Sequence, residues 1–254
     1  MPDVGHFALL AAAAFVAGAM NSVAGGGTLL TFPALMGIGV PPTIANATST
    51  VALLPGSLAG AWGYRKELRS VRRFALMLLP VSLIGGTLGA LLLVWFPDEF
   101  KALVPWLILV AAVLFLIQPF VSRLLKKQDP TERVGTSVTF GVMAFQFLIA
   151  VYGGYFGAGI GILMLTALGF MHVGDIHHMN AVKTFLASAI NLVSVIVFIA
   201  DNLIWWHYAA AMVVAAILGG YIGARVARKL PARYVRWTVI AVGFGLAGYY
   251  FLKK

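Results

Sequence analysis

The sequence predicts an all-α polytopic membrane protein made of two inverted-topology repeats of about five segments each, with glycine-interrupted helices. Three observations carry that prediction. Apolar residues make up 61% of the chain and charged ones only 10%, against about a quarter charged in a soluble domain. The apolar segments of one half recur in the other at a constant offset. The loops that are basic in one half are neutral or acidic at the equivalent place in the other.

In chain order, the apolar segments lie at 6–23, 27–40, 44–63, 74–96 and 101–122, then at 136–152, 157–171, 179–200, 204–224 and 234–252. A hydrocarbon core of about 30 Å needs about 20 such residues in a helix. The first segment has the small residues Ala17-Gly18-Ala19 of a signal peptide, but Asp3 stands where a basic region belongs. It therefore reads as the first transmembrane helix. The polar run Lys126-Lys127-Gln128-Asp129-Pro130-Thr131-Glu132-Arg133 is the one clear linker. It divides the chain into a first transmembrane repeat at 1–125, a cytoplasmic linker at 126–135 and a second repeat at 136–254.

At an offset of 134, Ala24, Gly25 and Gly27 fall on Ala158, Gly159 and Gly161. Asn46, Ala47 and Thr50 fall on Asn180, Ala181 and Thr184, and Gly85-Gly86 falls on Gly219-Gly220. Three clusters in register without a gap indicate duplication. Arg65, Lys66, Arg69, Arg72 and Arg73 follow the third segment, whereas the equivalent loop of the second half has Asp201 and no cation. One segment later the bias reverses, from Asp98, Glu99 and Lys101 to Arg225, Arg228, Lys229, Arg233 and Arg236. By the positive-inside rule, equivalent loops of opposite bias lie on opposite sides. The repeat is then inverted and each half crosses an odd number of times, five if the interrupted segment counts twice. The alternative is 4+4 helices in parallel repeats, with that segment as a single span.

The net charge of +10 resides in these loops, so it reports orientation and does not point to nucleic acid. The chain has no cysteine, which excludes disulfides, thiol chemistry and Cys-based metal sites. Glycine inside an apolar segment suits a helix break or close approach of backbone. A break in a membrane helix is tolerated where protein or a polar cavity surrounds it, and paired breaks point to a transporter's binding site. Close helix packing is the competing reading, since Gly153, Gly157 and Gly161 also form a small-xxx-small run.

The arrangement resembles the TauE/SafE family of sulfite and sulfonate exporters. The resemblance lies in Ala17-Gly18-Ala19-Met20-Asn21-Ser22-Val23-Ala24-Gly25-Gly26-Gly27-Thr28, Pro33-Ala34-Leu35, Ile44-Ala45-Asn46-Ala47-Thr48-Ser49-Thr50, Tyr64-Arg65, Gly153 to Gly161 and Asn180-Ala181-Val182-Lys183-Thr184. It covers nearly the whole chain and implies export of small sulfur-containing or organic anions from a bacterial cytoplasmic (inner) membrane.

Residues that could bind substrate in the first half are Asn21, Ser22, Gly25, Gly26, Gly27, Thr28, Thr31, Asn46, Thr48, Ser49 and Thr50. A break at Gly25–Gly27 would aim the N–H groups of a helix starting at Thr28 into the gap, where a small oxyanion would be stabilised. Interhelical hydrogen bonding is the alternative use of such hydroxyls and amides. In the second half the candidates are Gly159, Gly161, Asn180, Lys183 and Thr184. Lys183 is the one cation well separated from the basic loops, and it follows Asn180 on the same helical face. It would pair with an anion, or else snorkel to the interface. Asp175, His177 and His178 precede that helix and could gate or relay protons. With His172 they mimic a metal site, but no helical His pair at i, i+4 occurs and no metal or cofactor is implied.

All eight acidic residues lie in or beside loops, so proton coupling would run through His177, His178, Lys183 or the substrate. No phosphate-binding loop of the Walker type is present, which leaves secondary transport, with a carboxylate carrier or channel as the alternative. An intramembrane serine enzyme would need a nucleophile and a His base meeting in the bundle, and every His lies near a loop. The reading is therefore not an enzyme; an assembly factor is the other class. The partners implied are a small anion and the lipid bilayer, with association of several copies left open.

Overall fold

A computed structural model describes residues 4–23, 26–125, 136–226 and 232–252, with side chains omitted at some helix ends. Among them the chain forms eleven helices and no strand. The first half holds α1 (Val4–Val23), α2 (Thr28–Gly37), α3 (Pro42–Gly63), α4 (Arg65–Ser70), α5 (Arg72–Trp95) and α6 (Pro97–Leu125). The second holds α7 (Thr136–Tyr155), α8 (Ile160–Phe170), α9 (Ile176–Ala200), α10 (Trp206–Val226) and α11 (Ala232–Leu252). The linker at 126–135 lies outside the described residues.

Ten of these helices are the ten apolar segments, and local chemistry sets several of their ends. Proline, pre-set for a first helical turn, opens α3 at Pro42 and α6 at Pro97. Asp175 caps α9 by accepting from the backbone N–H groups of His177 and His178. The eleventh helix, α4, is six residues long and made of Arg65-Lys66-Glu67-Leu68-Arg69-Ser70, which offers no apolar stripe to find it by.

The helix lengths refine the expected crossings. By length and composition, Val4–Asn21, Arg72–Trp95, Pro97–Val121 and Ile176–Ala200 are able to cross a membrane. The 22-residue α3 is as long, but Asn46, Thr48, Ser49 and Thr50 make it more polar. With 10 and 11 residues, α2 and α8 are each about 15 Å long, half a hydrocarbon core. Each glycine-interrupted segment is thus a full-length helix followed by a half-length one.

The halves interlock. The first helix of each half packs along the fourth apolar helix of the other, as α1 on α10 and α7 on α5. The same exchange relates α3 on α10 to α9 on α5, and α6 on α8 to α11 on α2. The α3–α9 and α6–α11 contacts pair each element with its own repeat-mate. This is the contact pattern of a two-fold relation between halves.

Small residues make the exchanged contacts close. A Cβ added at Gly18 would overlap the Ala216 carbonyl oxygen, and one at Gly219 that of Phe15, across α1–α10. Across α5–α7, Gly89 meets the Val151 carbonyl and Gly154 that of Gly86 in the same way. Helices in lipid gain little from burying apolar surface, so backbone approach of this kind supplies the packing. The run Gly153-x-x-x-Gly157-x-x-x-Gly161 is not such a stripe, because α7 ends at Tyr155 and Gly157 lies in the break with φ +81°.

Candidate substrate site at the paired helix breaks

Both breaks expected from the glycines are present, and they come together on one helix. Gly26, at φ +91°, lies under the Phe115 ring of α6. Gly159, at φ +81°, lies 3.2 Å from the Leu114 side chain by the position its Cβ would take. Consecutive residues of α6 therefore cover the two interruptions. The left-handed conformation at Gly26 and Gly159 is why glycine stands there.

At the first break, the Oδ1 of Asn21, near the end of α1, accepts from the Gly27 N–H at 2.8 Å and so caps the start of α2. Three residues into α2, the Thr31 and Ser49 hydroxyls share a hydrogen bond of 2.6 Å, both fully buried. Thr28 is the first residue of α2 and is partly buried. Gly25 and the side chain of Ser22 lie outside the described residues.

The first half also reaches into the second break. Asn46 Nδ2 donates to the carbonyl of Tyr155, the last residue of α7, at 3.2 Å. Its Oδ1 is buried and has no hydrogen-bond partner among the described residues. Its repeat-mate Asn180 is used differently, accepting from Lys183 Nζ at 2.7 Å. The Lys183 stem runs over Gly161, with Cδ 3.2 Å from where a Cβ would sit, so a side chain there would displace it. Lys183 is the eighth residue of α9, about 10 Å from its start, and its ammonium turns back toward that end. Among the described residues no carboxylate pairs with it.

The remaining candidates serve elsewhere. Thr48 Oγ1 accepts from the Trp205 N–H at 3.2 Å, fastening α3 to the start of α10. Thr50 bonds back to the Asn46 carbonyl at 2.8 Å. The Thr184 methyl packs on Gly60, and its carbonyl accepts from Ser188, which also bonds the Ser57 carbonyl at 2.9 Å. Asp175, His177 and His178 sit at the mouth of α9. The N–H of His178 and, beside it, its ring hold the Asp175 carboxyl below its ordinary range. The described residues contain no group of three His, Cys, Asp or Glu suited to a metal.

Two polar contacts escape sequence reading. Tyr152 donates to the Ala158 carbonyl at 2.7 Å, bracing the second break from α7. Gln146 Nε2 donates to Ser82 Oγ at 2.9 Å, fully buried between α7 and α5. Each is a lone polar group in an apolar run, with no pattern to mark it.

The profile of the family described as Sulfite exporter TauE/SafE matches residues 10–250, from within α1 to within α11. The chain belongs to the TauE/SafE family. Among curated relatives, a "Probable membrane transporter protein" of Haemophilus influenzae is 32% identical over 243 residues, covering 93% of this chain and 91% of that one. "Probable membrane transporter protein ORF9" of Sinorhizobium sp is 30% identical over 94% of this chain and 90% of its own. "Probable membrane transporter protein YfcA" of Escherichia coli K12 is 27% identical over 90% and 83%. Family membership and the apolar helices make this TauE/SafE member an integral membrane protein.

Proposed function

We propose that the protein is a secondary transporter that exports small sulfur-containing anions, sulfite or an organosulfonate, through a site between the two helix breaks. The observation that carries the reading is the convergence of both breaks on Leu114 and Phe115, with Lys183 laid over the second. Half-length helices starting at Thr28 and Ile160 bring positive dipole ends to one region. The family description supports the sulfur chemistry, and the relatives' names support transport.

In this reading Lys183 supplies the charge. An anion entering a low-dielectric bundle needs a cation, and among the described residues Lys183 has the neutral Asn180 as its hydrogen-bond partner and no carboxylate. Asn46 offers the free end of a buried amide, which a bound anion or water would satisfy. Proton coupling would pass through the substrate, since bisulfite and sulfite differ by one proton, or through Lys183. The repeats are inverted, with Arg69 and Lys127 cytoplasmic and Asp98 and Asp201 outside.

The test is flux in proteoliposomes of purified protein, with sulfite, an alkylsulfonate and a carboxylate offered under imposed pH and voltage gradients. Lys183→Gln should lower sulfite flux at least about tenfold, the scale of losing one buried charge partner. Lys183→Arg should keep binding and flatten the pH dependence, because Arg does not deprotonate. Wild-type flux in Lys183→Gln would remove Lys183 from the site. Carboxylate flux without sulfur-anion flux would replace the substrate class.

A further inference from the structure

A second feature lies away from the breaks, where α4 wedges between α3, α5 and α9. These helices enclose a cleft of about 710 Å³. One end is strongly basic, with Arg65 and Arg69 from α4 and Arg72 from the start of α5. The wall is apolar, formed by Leu58 and Trp62 of α3 and by Phe185 and Leu192 of α9. Leu58, Trp62 and Leu192 are also among the exposed large side chains, so the wall runs out onto the lateral surface of the helix bundle.

The three arginines are not equivalent. Arg65 stacks over the Trp62 ring at 5.3 Å and donates to the Trp62 carbonyl at 3.1 Å, which fixes both side chains at the rim. Arg69 and Arg72 are exposed and form no ion pair among the described residues. Glu67, the one carboxylate of this connection, forms no ion pair with them among the described residues. Two unpaired guanidiniums beside an apolar wall call for a ligand with an anionic head and an apolar tail.

We propose that this cleft binds an anionic phospholipid, its phosphate held by Arg69 and Arg72 and one acyl chain lying along Leu58, Trp62 and Leu192. Guanidinium forks match phosphate oxygens in paired hydrogen bonds. A small free oxyanion would use the arginines but leave the apolar wall uncovered. The basic loop belongs to the cytoplasmic side by the positive-inside rule, and that leaflet carries the anionic lipids. The bound lipid would tie α4 to α9 at Phe185 and Leu192, about half a turn to two and a half turns beyond Lys183, and so make the transport helix sensitive to lipid charge.

The experiment measures lipid binding to the full chain in detergent by native mass spectrometry, with thermal unfolding as a second readout. Phosphatidylglycerol and phosphatidylcholine of identical acyl chains are compared, with inorganic phosphate as a soluble probe. The wild type should prefer phosphatidylglycerol. Each arginine removed should cost roughly fivefold in that preference, from the contribution of one basic residue near an anionic surface. Arg69→Gln with Arg72→Gln should therefore lower it about twenty-five-fold, while Arg69→Lys with Arg72→Lys, which keeps the charge and loses the paired hydrogen bonds, should fall between that variant and wild type. If the double Gln variant does not melt cooperatively, the fivefold loss in Arg72→Gln alone decides. Equal binding of the two lipids, or undiminished preference in the Gln variants, would overturn the proposal. Protection by inorganic phosphate equal to that by phosphatidylglycerol would overturn it in favour of a free-anion site.

Discussion

At the first break, neutral groups close the start of the half-helix: Asn21 caps Gly27, and Thr31 shares its hydroxyl with Ser49. At the second, Gly159 makes the left-handed turn, Tyr152 holds the Ala158 carbonyl, and Lys183 stands 134 residues on from Ser49. The backbone device is shared, and the side chains that furnish it are not. Under the proposed function, the lysine of one half would serve an anion that both breaks face. The first half then supplies shape and neutral hydrogen bonds.

The comparison breaks most completely if the halves are not inverted. This cysteine-free chain allows single-cysteine labelling at Arg69→Cys and Asp201→Cys. Arg69→Cys should react from the cytoplasmic side and Asp201→Cys from the other. Labelling of both from one side would remove the two-fold that sets Ser49 against Lys183.

A finer contrast lies in how tightly each break is packed. Gly26→Ala and Gly159→Ala each force a left-handed alanine, at a cost of about 1–2 kcal/mol. At Gly26 the added methyl also meets the Phe115 ring, which adds overpacking of about 1–3 kcal/mol. At Gly159 it meets the tip of Leu114, which is able to turn away. Thermal unfolding should show the larger drop for Gly26→Ala, with partial recovery when Phe115→Leu is added. Equal drops would mean that the two breaks are equally confined.

The smallest effect concerns the helices that follow. Pro41 ends the turn before α3 without a side-chain cap, and Asp175, 134 residues later, caps α9. Asp175→Ala should cost about 1 kcal/mol, and Asp175→Asn much less. The carboxyl titrates lower in the folded protein than in the unfolded chain. Its contribution is therefore complete above the ordinary carboxylate range and fades as pH falls through the folded value. A melting temperature of Asp175→Ala that converges on wild type at low pH is the expected result.

The breaks and the duplication were legible from glycine and asparagine spacing, whereas the apolar segments at 101–122 and 179–200 began short of α6 and α9, whose first turns carry Asp98, Glu99, His177 and His178. Gly26 shows the limit of resolution. The offset of 134 sets Gly25 opposite Gly159, yet the left-handed residue before α2 that the structure describes is Gly26. Contacts between halves were not legible, because pairing of α1 with α10 leaves only small residues in the sequence, and small residues are common here. Asn46 could be named as polar and buried, but not as the residue that reaches Tyr155. Gln146 and Ser82 fall at positions where the other half has Ala12 and Ala216, so the repeat itself hid them.

The exchange of first helices has a consequence for how the protein is made. Helix α1 ends at Val23 and its partner α10 begins at Trp206. At 5–20 residues per second, a ribosome needs roughly 10–40 s to synthesise the chain between them. Throughout that interval α1 waits in the bilayer with the groove around Gly18 filled by acyl chains, a solvent that does not punish an apolar face. Helix α1 thus meets its α10 partner late, and a chain arrested after α6 would hold α1 against α2 and α3 with its α10 face still open to lipid.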